Sequence, residues 1–195
     1  GGNLAMLANF GIVHAFEINP SAMEKCRMLS DADIREGSLP DHVPFPPEQK
    51  FDLVVAFDVL EHIEDDRNSF AALVGMLDKD AYLFITVPAY AWMMSAHDHA
   101  HHHFRRYSRN SLRALANHED VETIRIGYFN TLLFPAIAAM RILGKGSRKS
   151  HSDADMPGRI TNGILKRIFS LEAWVTGRFF FPFGTSLGLL VRKKS

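Results

Sequence analysis

The run Phe51-Asp-Leu-Val-Val-Ala-Phe57 most restricts what this chain can fold into. Only Asp52 interrupts its apolar character, and a run of this kind suits a strand buried on both faces of a parallel sheet. Such a strand needs parallel neighbours joined by crossover helices, and the flanking sequence supplies both. Residues 11–17 (Gly-Ile-Val-His-Ala-Phe-Glu) read as a strand ending in an acid. Pro20 to Leu29 then reads as a helix, with Asn19 as N-cap and Pro20 at the first helical position. Ala32 to Glu36 has the length of a short edge strand. Asp65 to Leu77 places Phe70, Leu73, Val74 and Leu77 at helical spacing. Tyr82 to Val87 is a second buried strand, stopped by Pro88. Three strand-then-helix units in a row imply right-handed crossovers and a doubly wound, mostly parallel α/β sheet.

From Ala89 the alternation breaks. Ala89 to Tyr107 is a long connection rich in His and aromatics, and long connections in compact domains are usually functional or disordered. Ser111 to Asn117 reads as a helix and Val121 to Gly127 as a strand. Thr131 to Leu143 reads as an apolar helix interrupted at Pro135. Gly144 to Gly158 is a polar loop, Ile160 to Val175 is amphipathic, and Ser186 to Arg192 reads as the last strand. The implied organisation is a core over 1–128, a helical insert or cap over 129–183, and the final core strand over 184–195.

Composition narrows the function classes. At 195 residues the chain can bury one sizeable core. Lys plus Arg and Asp plus Glu both total 22, so no overall field draws the protein to nucleic acid. Cys26 is the only cysteine, which excludes an internal disulfide and suits a reducing cytosol. No apolar run reaches the roughly 18 to 20 residues of a membrane span, and no signal peptide is visible.

The chemistry-bearing residues begin at the front. Gly1 and Gly2 open an apparent helix, and the following strand ends at Glu17. In doubly wound folds a Gly-rich turn lets a ligand approach the backbone, and an acid closing the next strand accepts hydrogen bonds from ribose hydroxyls. The 51–57 strand delivers Phe57 and Asp58 to its carboxyl end, where open α/β sheets bind ligands. Val59, Leu60, Glu61 and His62 form the turn that follows.

With its Phe-Asp-x-Val strand and Leu-Glu-His turn, the chain closely resembles the class I S-adenosylmethionine-dependent methyltransferase superfamily, in its small-molecule branch. The resemblance runs from about Gly1 to Gly127 and implies a Rossmann-like fold with S-adenosylmethionine as cofactor. It makes Gly1 and Gly2 the end of the glycine motif and Glu17 the ribose-binding acid, with Ile18 packing on adenine. Ser38 and Leu39 correspond to the loop that contacts adenine, Ser38 standing where the family often has Asp. Phe57 and Asp58 correspond to residues at the methionine end of the cofactor. The family's first strand belongs just before Gly1, so the natural protein is expected to extend upstream.

His97-Asp-His-Ala-His-His-His103, followed by Phe104-Arg-Arg-Tyr107, is the second concentration. Imidazoles at this density permit metal ligation, but adjacent histidines lack the fixed spacing of a structural zinc site and no cysteines accompany them. No metal is therefore expected. The resemblance implies that this segment folds over the cofactor and shapes the acceptor pocket. His97, His102 and His62 are the candidate catalytic residues, and Arg106, Tyr107 and Trp92 the candidate acceptor-binding ones. A neutral imidazole would serve an oxygen acceptor as base, and an arginine would hold an anionic acceptor by a forked contact.

Within 129–183, Leu132, Leu133, Phe134, Ile137 and Met140 form one apolar cluster. Ile164, Leu165, Ile168, Phe169, Leu171 and Trp174 form another, among Lys166, Arg167 and Arg178. This reads as a cap on the sheet or a homodimer contact, or else as a surface that admits a lipid-like acceptor or touches a membrane. Methyl transfer to a small-molecule or lipid-like acceptor, preferably at oxygen, in the cytoplasm or at its membrane face, is the resulting expectation. A nicotinamide-dependent oxidoreductase and a non-catalytic member of the same fold are the rivals.

Overall fold

The computed structural model describes residues 2–142, 172 and 181–195. Helix α1 (Leu4–Leu7) leads to strand β1 (His14–Glu17), helix α2 (Pro20–Leu29) and strand β2 (Asp33–Glu36). Strand β3 (Phe51–Phe57) enters a 3-10 turn at Leu60–His62 and then helix α3 (Asp66–Gly75). Strand β4 (Leu77–Pro88) is followed by a 3-10 turn at Ala91–Met93, helix α4 (Ala96–Ala100) and helix α5 (Arg109–Leu115). Strand β5 (Val121–Phe129), helix α6 (Phe134–Ile142) and strand β6 (Ser186–Lys193) complete the described elements.

The α/β, Rossmann-like architecture is the one expected. Its described sheet is in two pieces: β1 pairs with β2, and the order β3-β4-β6-β5 forms the second piece. Parallel pairing joins β1 to β2 and β3 to β4, and β6 alone runs against β4 and β5. The unpaired flanks of β1 and β3 are bridged by side chains instead. Phe51 sits 5.5 Å from the His14 ring and 5.2 Å from that of Phe45.

The larger piece holds the main core. Leu83, Ile85 and Val87 of β4 face Val191, Leu189 and Leu187 of β6 in register, and all six are fully buried. Each such side chain contributes roughly 1.5–3 kcal/mol by leaving water. Phe70, Leu73 and Val74 of α3 and Leu112 of α5 join the same cluster. Among the described residues, the smaller piece's core cluster is Leu4, Met23, Cys26 and Ile34.

Local signals placed several boundaries. Asn19 caps α2 by accepting from the Ser21 and Ala22 amides, with Pro20 in the first turn. Asp65 caps α3 through the Asn68 amide, and Ser108 and Ser111 form a reciprocal capping box on α5. Four expectations need correction. The strand expected over 11–17 covers only His14–Glu17, and Leu77 opens β4 instead of closing α3. Val54 and Ala56 are buried while Leu53, on the opposite face, is 47% exposed, so β3 is not buried on both faces. Pro135 does not interrupt α6 but lies in its first turn, where a missing N–H costs no helical hydrogen bond.

The expected loop over 144–158, and the amphipathic stretch over 160–175 apart from Glu172, lie outside the described residues. The Glu172 carboxylate accepts from the amides of Thr131 (2.7 Å) and Leu132 (3.2 Å), which ties the insert to the end of β5. Among the described residues no helix is long and apolar enough to cross a membrane.

Candidate functional site

Strand direction places the candidate residues. Strands β1 and β3, each paired in parallel with the next strand in the chain, end at Glu17 and Phe57, so their carboxyl ends present Glu17, Ile18, Phe57 and Asp58. The Glu17 Oε1 atom accepts from the Asn19 amide at 2.9 Å, which fixes the carboxylate at the strand end. Ile18 is 67% exposed and offers a bare apolar surface beside it. The Phe57 ring packs edge-on against Phe84 at 5.9 Å.

Asp58 has φ 52, a left-handed conformation that turns the chain sharply off β3. Its amide donates to the Thr86 carbonyl at 3.0 Å, and its Oδ1 accepts from the Thr86 hydroxyl at 3.3 Å. The exposed Asp58 carboxylate is thereby anchored from the neighbouring strand. A donor set of one strand-end acid, an exposed aliphatic and a second strand-end acid fits an adenosine carrying a cationic amino-acid arm.

The other cofactor candidates are placed differently. Gly1 lies outside the described residues, and a Cβ on Gly2 would meet nothing within 4 Å, so no cradle is formed there. Ser38 exchanges backbone hydrogen bonds with His42 (2.8 and 2.9 Å). A side chain on Gly37 would collide with Pro44 Cδ at 2.6 Å and the His42 carbonyl at 2.8 Å, so this close turn requires glycine. Leu39 packs against the main core.

The 89–107 segment closes on itself at its base. Ala89 and Tyr107 form a parallel bridge, with Tyr90 N–H donating to the Tyr107 carbonyl and Tyr107 N–H to that of Pro88. Inside it, Asp98 is fully buried and accepts from the Ser95 amide and hydroxyl, Arg106 Nε (2.7 Å) and His103 Nδ1 (3.0 Å). Burial opposes its ionisation, but the Arg106 and Ser95 hydrogen bonds win and hold its carboxyl well below the usual carboxylate range.

This geometry redistributes the expected roles. Arg106 donates to Asp98 and, at 3.2 Å, to the Ala89 carbonyl. Tyr107 is a core residue, 3% exposed, whose hydroxyl donates to Asp66 at 2.9 Å. Burial and the Asp66 carboxylate both raise its pKa. His102 is exposed in a turn at φ 58, while the neighbouring His103 is the one that points into the Asp98 network. The side chain of His97 lies outside the described residues. Trp92 is 52% exposed beside Tyr90, at 5.8 Å between rings.

His62 is exposed on the 3-10 turn after β3, with its ring 4.5 Å from that of His103. Partial burial and the His103 charge lower its pKa.

Glu61, which carried no role in the sequence reading, is the most unusual residue here. It is 1% exposed, and its Oε2 has no hydrogen-bond partner. Burial pushes its pKa up to about 8; a hydrogen bond from its own amide opposes this, and Asp58 adds to it. An acid between buried Leu60 and His62 was the available signal. A second set also went unnoticed: Tyr90 stacks on Tyr128 at 5.2 Å and contacts Phe134 at 5.4 Å, giving an aromatic wall beyond β4. Two open clefts of about 830 and 630 Å³ are lined chiefly by α5 and β5 and include none of these residues.

Comparison with known proteins agrees with this arrangement. Residues 1–85 match the family model described as a methyltransferase domain. A Haloferax volcanii methyltransferase solved in complex with the Trm112 methyltransferase activator is 16% identical with a TM-score of 0.61, the match covering 100% of this chain and 78% of the other. A Bacillus halodurans C-125 protein described as a methyltransferase gives 14% identity and a TM-score of 0.64, over 100% and 89%. A Galdieria sulphuraria protein described as a sarcosine dimethylglycine methyltransferase gives 16% and 0.57, over 100% and 76%. No curated protein matches the sequence. The methyltransferase-domain match is confined to residues 1–85, and the fold is similar to these methyltransferase structures along the whole chain.

Proposed function

We propose that the protein transfers a methyl group to a small-molecule or lipid-like acceptor held between the carboxyl ends of the strands and the 89–107 segment. The observation that carries this reading is the pair of anchored acids, Glu17 and Asp58, each at the carboxyl end of a strand that pairs in parallel with its neighbour. S-adenosylmethionine supplies a methyl group already activated on a sulfonium. The work left to the protein is alignment, with a base where the acceptor must lose a proton. Glu17 would hold the ribose hydroxyls, Ile18 would cover the adenine, and Phe57 and Asp58 would border the amino-acid arm. The aromatic wall of Tyr90, Tyr128 and Phe134 would receive an apolar acceptor body.

An oxygen acceptor is favoured because histidines are the bases at hand, with His102 and His97 on the covering segment. A lipid-like acceptor would draw the 129–183 insert to a membrane surface; the same surface would otherwise meet a second copy of the chain. Cytosolic residence fits the lone buried Cys26.

Isothermal titration with S-adenosylhomocysteine and with NAD tests the reading. Binding of the first, weakened about ten- to one-hundred-fold by Glu17→Ala, is expected from losing a charged hydrogen-bond acceptor. Binding of NAD alone would sink it. Liposome flotation checks the membrane contact, and no association with vesicles would remove it.

A further inference from the structure

The described structure leaves one buried polar atom at the edge of the site without any partner, the Oε2 of Glu61, and two imidazoles converge on the same place. One ligand atom from each of Glu61, His62 and His103 lies within 4.8 Å of the others. We propose that Glu61, His62 and His103 form a binding site for a divalent transition-metal ion of the zinc class, with Asp98 orienting His103 from behind.

Four features support this assignment. First, a buried carboxylate with an empty acceptor position is costly, and a cation is the partner that best removes the cost. Second, two imidazoles and one carboxylate are a borderline-soft donor set that suits zinc or its neighbours and disfavours magnesium or calcium. Third, His103 Nδ1 is taken by Asp98, which leaves Nε2 to meet the ion. A carboxylate behind a ligating imidazole fixes its tautomer and raises its basicity. Asp98 is itself held by Arg106 and Ser95, so Arg106 and Asp98 acquire a common purpose as supports. Fourth, the two halves of the site are tied together by the backbone, Phe104 N–H donating to the Glu61 carbonyl at 2.8 Å.

A zinc-class ion held at about 2.0–2.2 Å would bring its ligands closer than they now stand. Exposed His62 has room to make that adjustment. Three protein ligands leave at least one position open to solvent or to an acceptor oxygen. His62 then serves as a ligand and not as a base. The metal site itself does not depend on the methyl-transfer reading.

The His-rich run supplies only His103 to this site. The deciding ligand, Glu61, comes from a different part of the sequence. That separation also provides the test. Zinc chloride is titrated by calorimetry into the metal-free chain, alongside its Glu61→Gln and His103→Gln variants and a His99→Gln/His102→Gln double variant. One tight site is expected in the parent. Glu61→Gln and His103→Gln should each lower its affinity at least ten-fold, and Asp98→Asn should do so by about ten- to one-hundred-fold. The double variant, which removes exposed histidines of the run, should keep the site. Zinc should also raise the melting temperature of the parent but not of the well-folded Glu61→Gln variant. Unchanged zinc binding in Glu61→Gln, binding lost only in the double variant, or no tight site in the parent would each overturn the proposal.

Discussion

The two pieces of the sheet are built from similar strand-and-helix sequence, yet they are held together differently. The β3-β4-β6-β5 piece owes its strength to area: three fully buried cross-strand pairs under α3 and α5. Among the described residues, the core cluster of the β1-β2 piece has four members, and the piece depends on polar and aromatic contacts at its surface. There Asp33 meets His14 and Arg35, and the Arg35 guanidinium lies 4.9 Å from the centre of the Phe45 ring. Exposed ion pairs of this kind contribute little. The candidate cofactor site spans both pieces, with Glu17 on the weaker and Asp58 on the stronger. If Glu17 and Asp58 hold one ligand as proposed, its binding stabilises the weaker piece along with the stronger.

The contrast can be broken most forcefully in the main core. Leu83→Ala, at a fully buried position, is expected to cost about 2–5 kcal/mol and to lower the global denaturant midpoint. An equivalent cut in the small cluster, Ile34→Ala, should speed amide exchange in β1 and β2 while leaving β4 and β6 protected. Equal loss of protection in all four strands would show that the two pieces unfold as one.

Ligand sharpens the same comparison. S-adenosylhomocysteine at one hundred times its Kd should stabilise the bound state by about 2.7 kcal/mol, with the largest gain in exchange protection on β1 and β2. Asn19→Ala removes the cap accepting from Ser21 and Ala22 and should cost about 1 kcal/mol, localised to α2.

The smallest effect is electrostatic. Hydrogen bonds from Arg35 and His14 lower the Asp33 pKa below its usual value. A depressed carboxylate stabilises the fold above its unfolded-state pKa, and that contribution is lost as pH falls through the folded one. Acidification below about pH 4 should therefore loosen β1 and β2 slightly, and Asp33→Asn should flatten that dependence in an exchange-versus-pH series.

The same division explains what could be read from the sequence. Asn19-Pro20 and the 51–57 run are local signals, and their helix and strand formed where the spacing placed them. Leu77 continues the helical spacing of Phe70, Leu73 and Val74 yet opens β4, because a strand opening toward the same core uses the same side. His102 and His103 are neighbours of one chemistry, and nothing in their sequence tells that His103 faces Asp98 while His102 sits exposed in a turn at φ 58. Arg106 and Tyr107 carry residue types suited to acceptor binding. Their buried partners, Asp98 and Asp66, lie on other parts of the chain, where spacing alone cannot connect them. Glu61 and His62 are adjacent in sequence, yet one is buried and the other exposed because a 3-10 turn points successive side chains in different directions.

The backbone clasp at the base of the 89–107 segment has a consequence for how such a protein can diversify. The segment leaves and rejoins β4 at neighbouring points, through the Tyr90–Tyr107 and Tyr107–Pro88 hydrogen bonds. Between them it is seated by Phe104 N–H on the Glu61 carbonyl and by the buried Asp98. Length can therefore change cheaply only at its exposed turns, such as the one at His102, since doubling a flexible loop costs only about 0.6 kcal/mol.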